Sequence, residues 1–304
     1  MGRGGSATPG RARDRGRPLD RPSGIRRSQP ERACCSAGPD AGKPKTGRSA
    51  AGCRAGVLGA RRALMAVLRP ETSDVIVLCG GRGARLGSLT AATPKPLLPV
   101  GGEPFLLRRL RALRAEGVRR ILLAVHYLAP QFHAFARTYA GEFPSMIVVE
   151  EPRPLGTGGA LRHAVRYAQS SVCVALNGDC WGVKAIAPVL EAHARRRARF
   201  TMAIVRAERV EGNARRKGMV SLGPEGEIRG FTTGDASGQA WVNAGVYAFD
   251  RALVDAWPEG SYDLEQQLLS LVPPGSGWTF RSDESLLDIG TPDCYDLANQ
   301  LSAR

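Results

Sequence analysis

From Asp74 onward the chain alternates short apolar runs with amphipathic stretches of helical period. The runs Val75–Leu78, Ile121–Val125, Met146–Val149, Val172–Leu176 and Phe200–Val205 have the length and β-branched content of buried strands. Between them, Pro104–Glu116, Pro130–Tyr139, Gly159–Ala168 and Val183–Arg197 carry the apolar stripe of helices packed on a sheet, and Gly117 is a natural C-terminal stop. Such alternation predicts a three-layer α/β fold with a largely parallel sheet. After Arg206 the texture changes. Gly218–Leu222, Glu227–Thr232 and Ala240–Phe249 read as antiparallel strands joined by turns such as Gly223-Pro224-Glu225-Gly226. Helices are expected at Tyr262–Leu271 and Pro292–Leu301, with strands near Trp278–Arg281 and Leu286–Ile289. Without an internal repeat or heptad register, residues 73–304 are expected to form one α/β domain with a β-rich insertion.

Composition changes the picture at one end only. The formal net charge of +15 would suit a nucleic-acid partner, but residues 1–64 hold 15 Lys and Arg against 4 Asp and Glu. The rest of the chain is close to balanced. Residues 1–64 have no Phe, Tyr or Trp and are dense in Arg, Gly, Pro and Ser, so they cannot bury enough apolar surface to offset ordering entropy. Residues 1–72 are therefore expected to be a disordered extension. Arg61 and Arg62 interrupt the apolar stretch a secretory signal would need, and no aromatics interleave the arginines as in an RNA-binding tail. Met65 stands just before the domain, and translation is expected to start there. The cysteines show no metal-binding spacing and the four histidines are scattered, so buried thiols are expected rather than zinc or disulfides. With no membrane span in the sequence, a reducing cytoplasm is the expected compartment.

The chemistry lies after the strands, since ligands of open α/β sheets bind beyond the carboxyl ends. The first strand runs into Gly80-Gly81-Arg82-Gly83-Ala84-Arg85-Leu86-Gly87, followed by Pro94-Lys95-Pro96. Its glycines let backbone N–H groups crowd a phosphate, and Arg85 and Lys95 add two positive charges. The spacing fits neither a dinucleotide fingerprint nor a P-loop, and the prolines bar a following helix. After the third strand comes Glu150-Glu151-Pro152-Arg153-Pro154-Leu155-Gly156-Thr157-Gly158-Gly159, and after the fourth Asn177-Gly178-Asp179.

Together with Val242-Asn243-Ala244-Gly245-Val246-Tyr247 and Asp288-Ile289-Gly290-Thr291-Pro292, these segments resemble the sugar-1-phosphate nucleotidyltransferases. Within that family they look most like the D-glycero-D-manno-heptose 1-phosphate and mannose-1-phosphate guanylyltransferases. The resemblance implies a Rossmann-like three-layer nucleotidyltransferase fold, with a mostly parallel mixed sheet and a small β-rich sugar-binding part. It also implies a Mg²⁺-dependent reaction of a nucleoside triphosphate with a sugar 1-phosphate to give NDP-sugar and pyrophosphate. Two unit charges 4 Å apart repel by roughly 4 kcal/mol at an effective dielectric near 20, so the site must neutralise phosphate charge. Arg85 suits the transferring phosphate and the leaving pyrophosphate, Lys95 is a point charge on the phosphates, and Asp179 and Asp288 are the candidate magnesium ligands. A helix cap is the competing role for Asp288.

Leu78, Gly80, Gly81 and Gly83 would line the nucleotide, and Gly156, Thr157 and Gly158 the base. Glu151 can accept two hydrogen bonds from guanine, which favours GTP. Asn177, Asn243, Gly245 and Glu265 match sugar-contacting positions. Two departures stand out. Ala84 replaces the family's usual Thr or Ser, and Thr232-Thr233 stands where relatives show Glu-Lys, a lysine that grips the sugar phosphate. Arg229, Lys217 and Arg281 are candidate substitutes. Alternatives are a UTP-, dTTP- or ATP-using enzyme, or a catalytically silent regulatory homologue. No nucleic-acid or membrane partner is expected, and oligomeric state stays open.

Overall fold

A computed structural model describes residues 68–183, 185–211, 218–232 and 240–302. Most of the basic extension, Met65, Lys217 and Thr233 fall outside them. The β-branched runs form strands because each buries both faces. In β1 (Asp74–Leu78), Val75 and Val77 point into one core and Ile76 into the other. The same two-sided alternation runs along β4 (Arg120–Val125), β6 (Val172–Asn177) and β8 (Phe200–Arg206). Strands buried on both sides are the mark of a sheet covered by helices on both faces.

The other strands are β2 (Pro99–Val100), β3 (Glu103–Pro104), β5 (Ser145–Glu150), β7 (Cys180–Trp181), β9 (Met219–Leu222), β10 (Ile228–Thr232), β11 (Trp241–Asp250), β12 (Gly277–Ser282) and β13 (Leu287–Asp288). The main sheet runs β10-β9-β11-β6-β1-β4-β5, with β8 also paired to β11 and β12 to β8. Strands β6, β1, β4 and β5 are mutually parallel, and β11 is antiparallel to β6. The expected mixed sheet is what the chain forms, its antiparallel part following Arg206.

Helices α1 (Phe105–Ala115), α2 (Ala129–Thr138) and α4 (Ala187–Arg196) cover one face. The other is covered by α3 (Gly156–Ala164), α5 (Arg251–Asp255) and α6 (Leu264–Leu271). A last helix, α7 (Pro292–Ser302), packs with β2 and β13 on a small third core. None of these helices is long and apolar enough to cross a membrane.

One boundary differs with consequence. The sequence predicts a helix from Gly159, but α3 starts at Gly156, so the glycine-rich stretch is its first turn. Its start is held from outside: Gly158 and Gly159 donate N–H bonds to the Tyr262 carbonyl at 3.0 and 3.3 Å. The chain leaves β1 toward β4 on one side and returns to β6 on the other. The crevice between the carboxyl ends of β1 and β6 is therefore the switch point where such sheets bind ligands.

Candidate active site

The glycine loop is shaped by what lies under it. Gly83 has φ +66°, and a Cβ there would sit 3.1 Å from Thr90 Cγ2 and 3.2 Å from Lys95 Cβ. Glycine alone fits both the left-handed backbone and the close approach. The Thr90 hydroxyl closes the loop at the carbonyls of Gly83 (3.2 Å) and Gly87 (3.3 Å). Gly81 faces open space. Below the loop is a hollow of about 340 Å³ lined by Leu78, Gly83, Arg85, Lys95, Asp179 and Gly290, among others. Arg85 is exposed at its rim and has no ion-pair partner among the described residues.

Lys95 forms the centre of the site. It is 5% exposed, and its ammonium donates to Asp179 Oδ2 at 2.6 Å and Asp288 Oδ1 at 2.9 Å. Burial pulls the ammonium's pKa down, but the two carboxylates outweigh it and the net direction is up. Asp179 follows β6, while Asp288 arrives on β13, whose pairing with β7 sets Asp288 opposite Cys180. Helix capping falls to Thr291, whose hydroxyl accepts the Cys294 N–H at 3.4 Å, so Asp288 is committed to the charged cluster.

Donor atoms of Asp179, Cys180 and Asp288 all lie within 4.8 Å of one another, and the Cys180 thiol donates to Asp179 Oδ1 at 3.2 Å. Two carboxylates from separate strands, already closed around a cation, fit a hard divalent ion that keeps waters and phosphate oxygens as its other ligands. Cys180 is a member that sequence reasoning missed. All four described cysteines are buried and outside disulfides, as expected, but this one is also a candidate donor. Its place directly after Asp179 was the available signal.

A second cleft, about 560 Å³, continues from Asp179 past Leu78, Gly80, Gly81 and Asn177 to Glu151, Leu155, Gly156 and Thr157. Of the adjacent glutamates, Glu150 is exposed beside His133, whereas Glu151 is 4% exposed and faces inward. One Glu151 oxygen accepts the Leu155 N–H at 3.0 Å, and the other, Oε1, is buried without a hydrogen-bond partner. Burial raises its pKa, partly offset by the Leu155 N–H and by His126 and His163. A Cβ on Gly80 would overlap Glu151 Oε1, so the glycine leaves that carboxylate its room.

Across Asn177 lies a third cleft, about 460 Å³, lined by Thr157, Asn177, Gly218, Phe231, Thr232, Tyr247, Glu265 and Leu269, among others. Glu265 is held by Asn243, whose amide donates to Glu265 Oε1 at 2.5 Å and to the Tyr247 hydroxyl at 2.7 Å. Asn243 Oδ1 accepts the Gly245 N–H at 2.9 Å, across a bulge where Gly245 takes φ +69°.

Comparison with known proteins places this arrangement. The family model described as nucleotidyl transferase matches residues 74–300, the whole span that carries the three clefts. The chain belongs to the nucleotidyl transferase family. Among its relatives, the mannose-1-phosphate guanylyltransferase of Mycobacterium tuberculosis is 33% identical over 190 residues, 62% of this chain and 51% of that one. The chain thus spans about half of that relative. The D-glycero-alpha-D-manno-heptose 1-phosphate guanylyltransferase of Aneurinibacillus thermoaerophilus is 28% identical, with 75% of this chain and 97% of that one covered. The crystal structure of HddC from Yersinia pseudotuberculosis complexed with GMP-PN superposes with TM-score 0.67 at 25% identity, covering 75% of this chain and 99% of that one.

Within this nucleotidyl transferase most predicted positions converge, and a few do different work. Gly158 is buried against the Tyr262 ring, which a Cβ there would overlap, so it packs the fold and does not line the second cleft. The Thr157 hydroxyl accepts the Leu264 N–H at 2.8 Å, capping α6. Asn243 is 2% exposed and supports Glu265 from behind, and neither it nor Gly245 is in the cleft wall. Arg229 pairs with Glu227, and Arg281 lies over the Trp241 ring, so neither lines the third cleft. Among its described lining residues there is no Lys or Arg.

Proposed function

We propose that this chain transfers GMP from GTP to the phosphate of a heptose- or mannose-type sugar 1-phosphate, releasing pyrophosphate. The observation that carries this reading is Lys95, buried between Asp179 and Asp288 under a glycine loop, with the unpartnered Glu151 carboxylate oxygen at the far end of the adjoining cleft. Guanine offers two adjacent N–H donors, and Glu151 Oε1 is an acceptor in want of them. The distance from phosphate to base is then spanned by the cleft past Gly80, Gly81 and Leu155.

In this reading Arg85 and Lys95 hold the triphosphate and stabilise charge as a sugar-phosphate oxygen bonds to the α-phosphorus and the bond to pyrophosphate breaks. Asp179 and Asp288 would hold Mg²⁺. When bound there, Mg²⁺ supplies further neutralisation of phosphate charge. Occupancy requires the Lys95 ammonium to leave the carboxylates, and the triphosphate is the anion it would move toward. Asn177 and Glu265 would bind sugar hydroxyls, with Asn243 orienting Glu265.

A second reading, a catalytically silent regulatory homologue, is favoured by the lack of a cation in the described wall of the third cleft. One experiment separates the two. The full chain with Mg²⁺, each nucleoside triphosphate in turn and a panel of sugar 1-phosphates is assayed for pyrophosphate release. Release with GTP and mannose or heptose 1-phosphate is expected. Release with UTP but not GTP overturns the base assignment, and no release with any pair supports the silent reading.

A further inference from the structure

The metal reading rests on two carboxylates, yet the cluster has three donor atoms, and the third is a thiol. Cys180 Sγ lies 3.2 Å from Asp179 Oδ1, and Cys180 is the cross-strand partner of Asp288 in the β7–β13 pair. In a tetrahedral zinc site with bonds of about 2.0–2.3 Å, neighbouring donors stand roughly 3.3–3.7 Å apart. The Cys180–Asp179 edge is already close to that spacing, and Asp288 lies within the same 4.8 Å cluster. Magnesium has no use for a sulfur donor, whereas thiolate selects softer ions and Zn²⁺ outcompetes earlier divalent metals at mixed N, O and S sites.

We propose that Asp179, Cys180 and Asp288 form a mixed oxygen–sulfur site that takes a thiophilic divalent cation, Zn²⁺ in particular, and that Zn²⁺ held there blocks the Mg²⁺-dependent reaction. Binding releases the Cys180 thiol proton to solvent and forms a sulfur–metal bond, with no change of oxidation state. Two carboxylates and a thiolate then face the ion, and the Lys95 ammonium leaves the carboxylates as it must for Mg²⁺. A sulfur-bound ion holds the two carboxylates in a geometry Mg²⁺ does not share, which is why it inhibits rather than substitutes.

The inference rests on the proposed role of Asp179 and Asp288 as metal ligands, but its test needs neither nucleotide nor sugar. The full chain, freed of metal and with Cys34, Cys35 and Cys53 replaced by Ser to remove other thiols of the extension, is titrated with Cd²⁺ and with Co²⁺. A thiolate-to-metal charge-transfer band in the ultraviolet is expected, saturating at one ion per chain. Loss of an outer partner already costs about 10–100-fold in metal affinity, so Cys180→Ser is expected to abolish the band and weaken Cd²⁺ binding at least about 100-fold. Cys79→Ser should keep it, because Cys79 is outside the cluster. Asp288→Asn, with the thiol intact, should shift the titration to higher metal concentration. In the Mg²⁺ assay the half-inhibitory Zn²⁺ concentration, each protein compared with its own uninhibited rate, should rise about tenfold or more in Cys180→Ser. A band that survives Cys180→Ser in folded protein, or that is lost in Cys79→Ser, overturns the proposal. A chain inactive with every substrate pair that still shows the band, lost in Cys180→Ser, overturns the guanylyltransferase reading and leaves this one standing.

Discussion

Replacing Lys95 by Met keeps the volume of the side chain and removes its charge, leaving Asp179 and Asp288 facing each other. Their oxygens are no more than 4.8 Å apart. Two unit charges at that distance repel by about 3.5 kcal/mol at an effective dielectric near 20. The Asp179 side chain is 35% exposed, so solvent screening reduces the expected loss to about 2–3 kcal/mol. For a domain of this size that is a fall of about 4–12 °C in Tm. The sign with pH follows from the carboxylates. Their repulsion disfavours the doubly ionised pair, so the loss is largest where both carboxylates are ionised and fades as protons return at acid pH. Thermal scans of wild type and Lys95→Met at pH 8 and pH 5 read this out, and Lys95→Met/Asp288→Asn should recover most of the loss at pH 8. Added Mg²⁺ should stabilise Lys95→Met more than wild type, since it then competes with no ammonium. Turnover should fall about 10²–10³-fold. Equal Tm values at pH 8, or a deficit unchanged between pH 8 and pH 5, would refute the view that Lys95 holds this carboxylate pair together.

Other perturbations test separate parts of the site. Glu151→Gln removes a charged acceptor worth about 1.5–3 kcal/mol, so kcat/KM for GTP should drop about 10–150-fold. Guanine donors stabilise the ionised carboxylate, whose pKa burial has raised; GTP affinity by calorimetry should therefore weaken as pH falls through that raised value, and Glu151→Gln should lose this dependence. Asn243→Ala leaves Glu265 without its amide donor, and KM for the sugar 1-phosphate should rise about tenfold with KM for GTP unchanged. Gly159→Ala puts a methyl into the Gly260 carbonyl oxygen, and overpacking against backbone should cost about 1–3 kcal/mol in a denaturant titration.

The core strands were legible because burial on both faces leaves an uninterrupted apolar run, as at Val75–Leu78 and Val172–Leu176. The antiparallel turn of the sheet after Arg206 was legible from turn residues. The start of α3 was not, because Gly156 to Gly159 are poor helix formers by themselves and are held by Tyr262, over a hundred residues away in sequence. Lys95 was legible as a cation beside the glycine loop. That it sits between carboxylates 84 and 193 residues distant was not, since a two-residue strand such as β13 has no periodicity to read. Asn243 and Gly158 show another limit: a motif names a position, whereas only packing tells whether its side chain faces a ligand or the residue that does.

The strut at Tyr262 has a consequence for engineering. The segment that carries Glu265 to the third cleft also receives the N–H groups of Gly158 and Gly159, returns its own Tyr262 N–H to the Leu155 carbonyl at 2.9 Å, and is capped by Thr157. The second and third clefts are thus cantilevered from one shared beam. Transplanting residues 150–159 from a relative that prefers another nucleotide would tilt that beam under the acceptor, so a successful exchange must carry residues 258–265 with it. Under the proposed function, donor and acceptor preferences would be inherited as a pair.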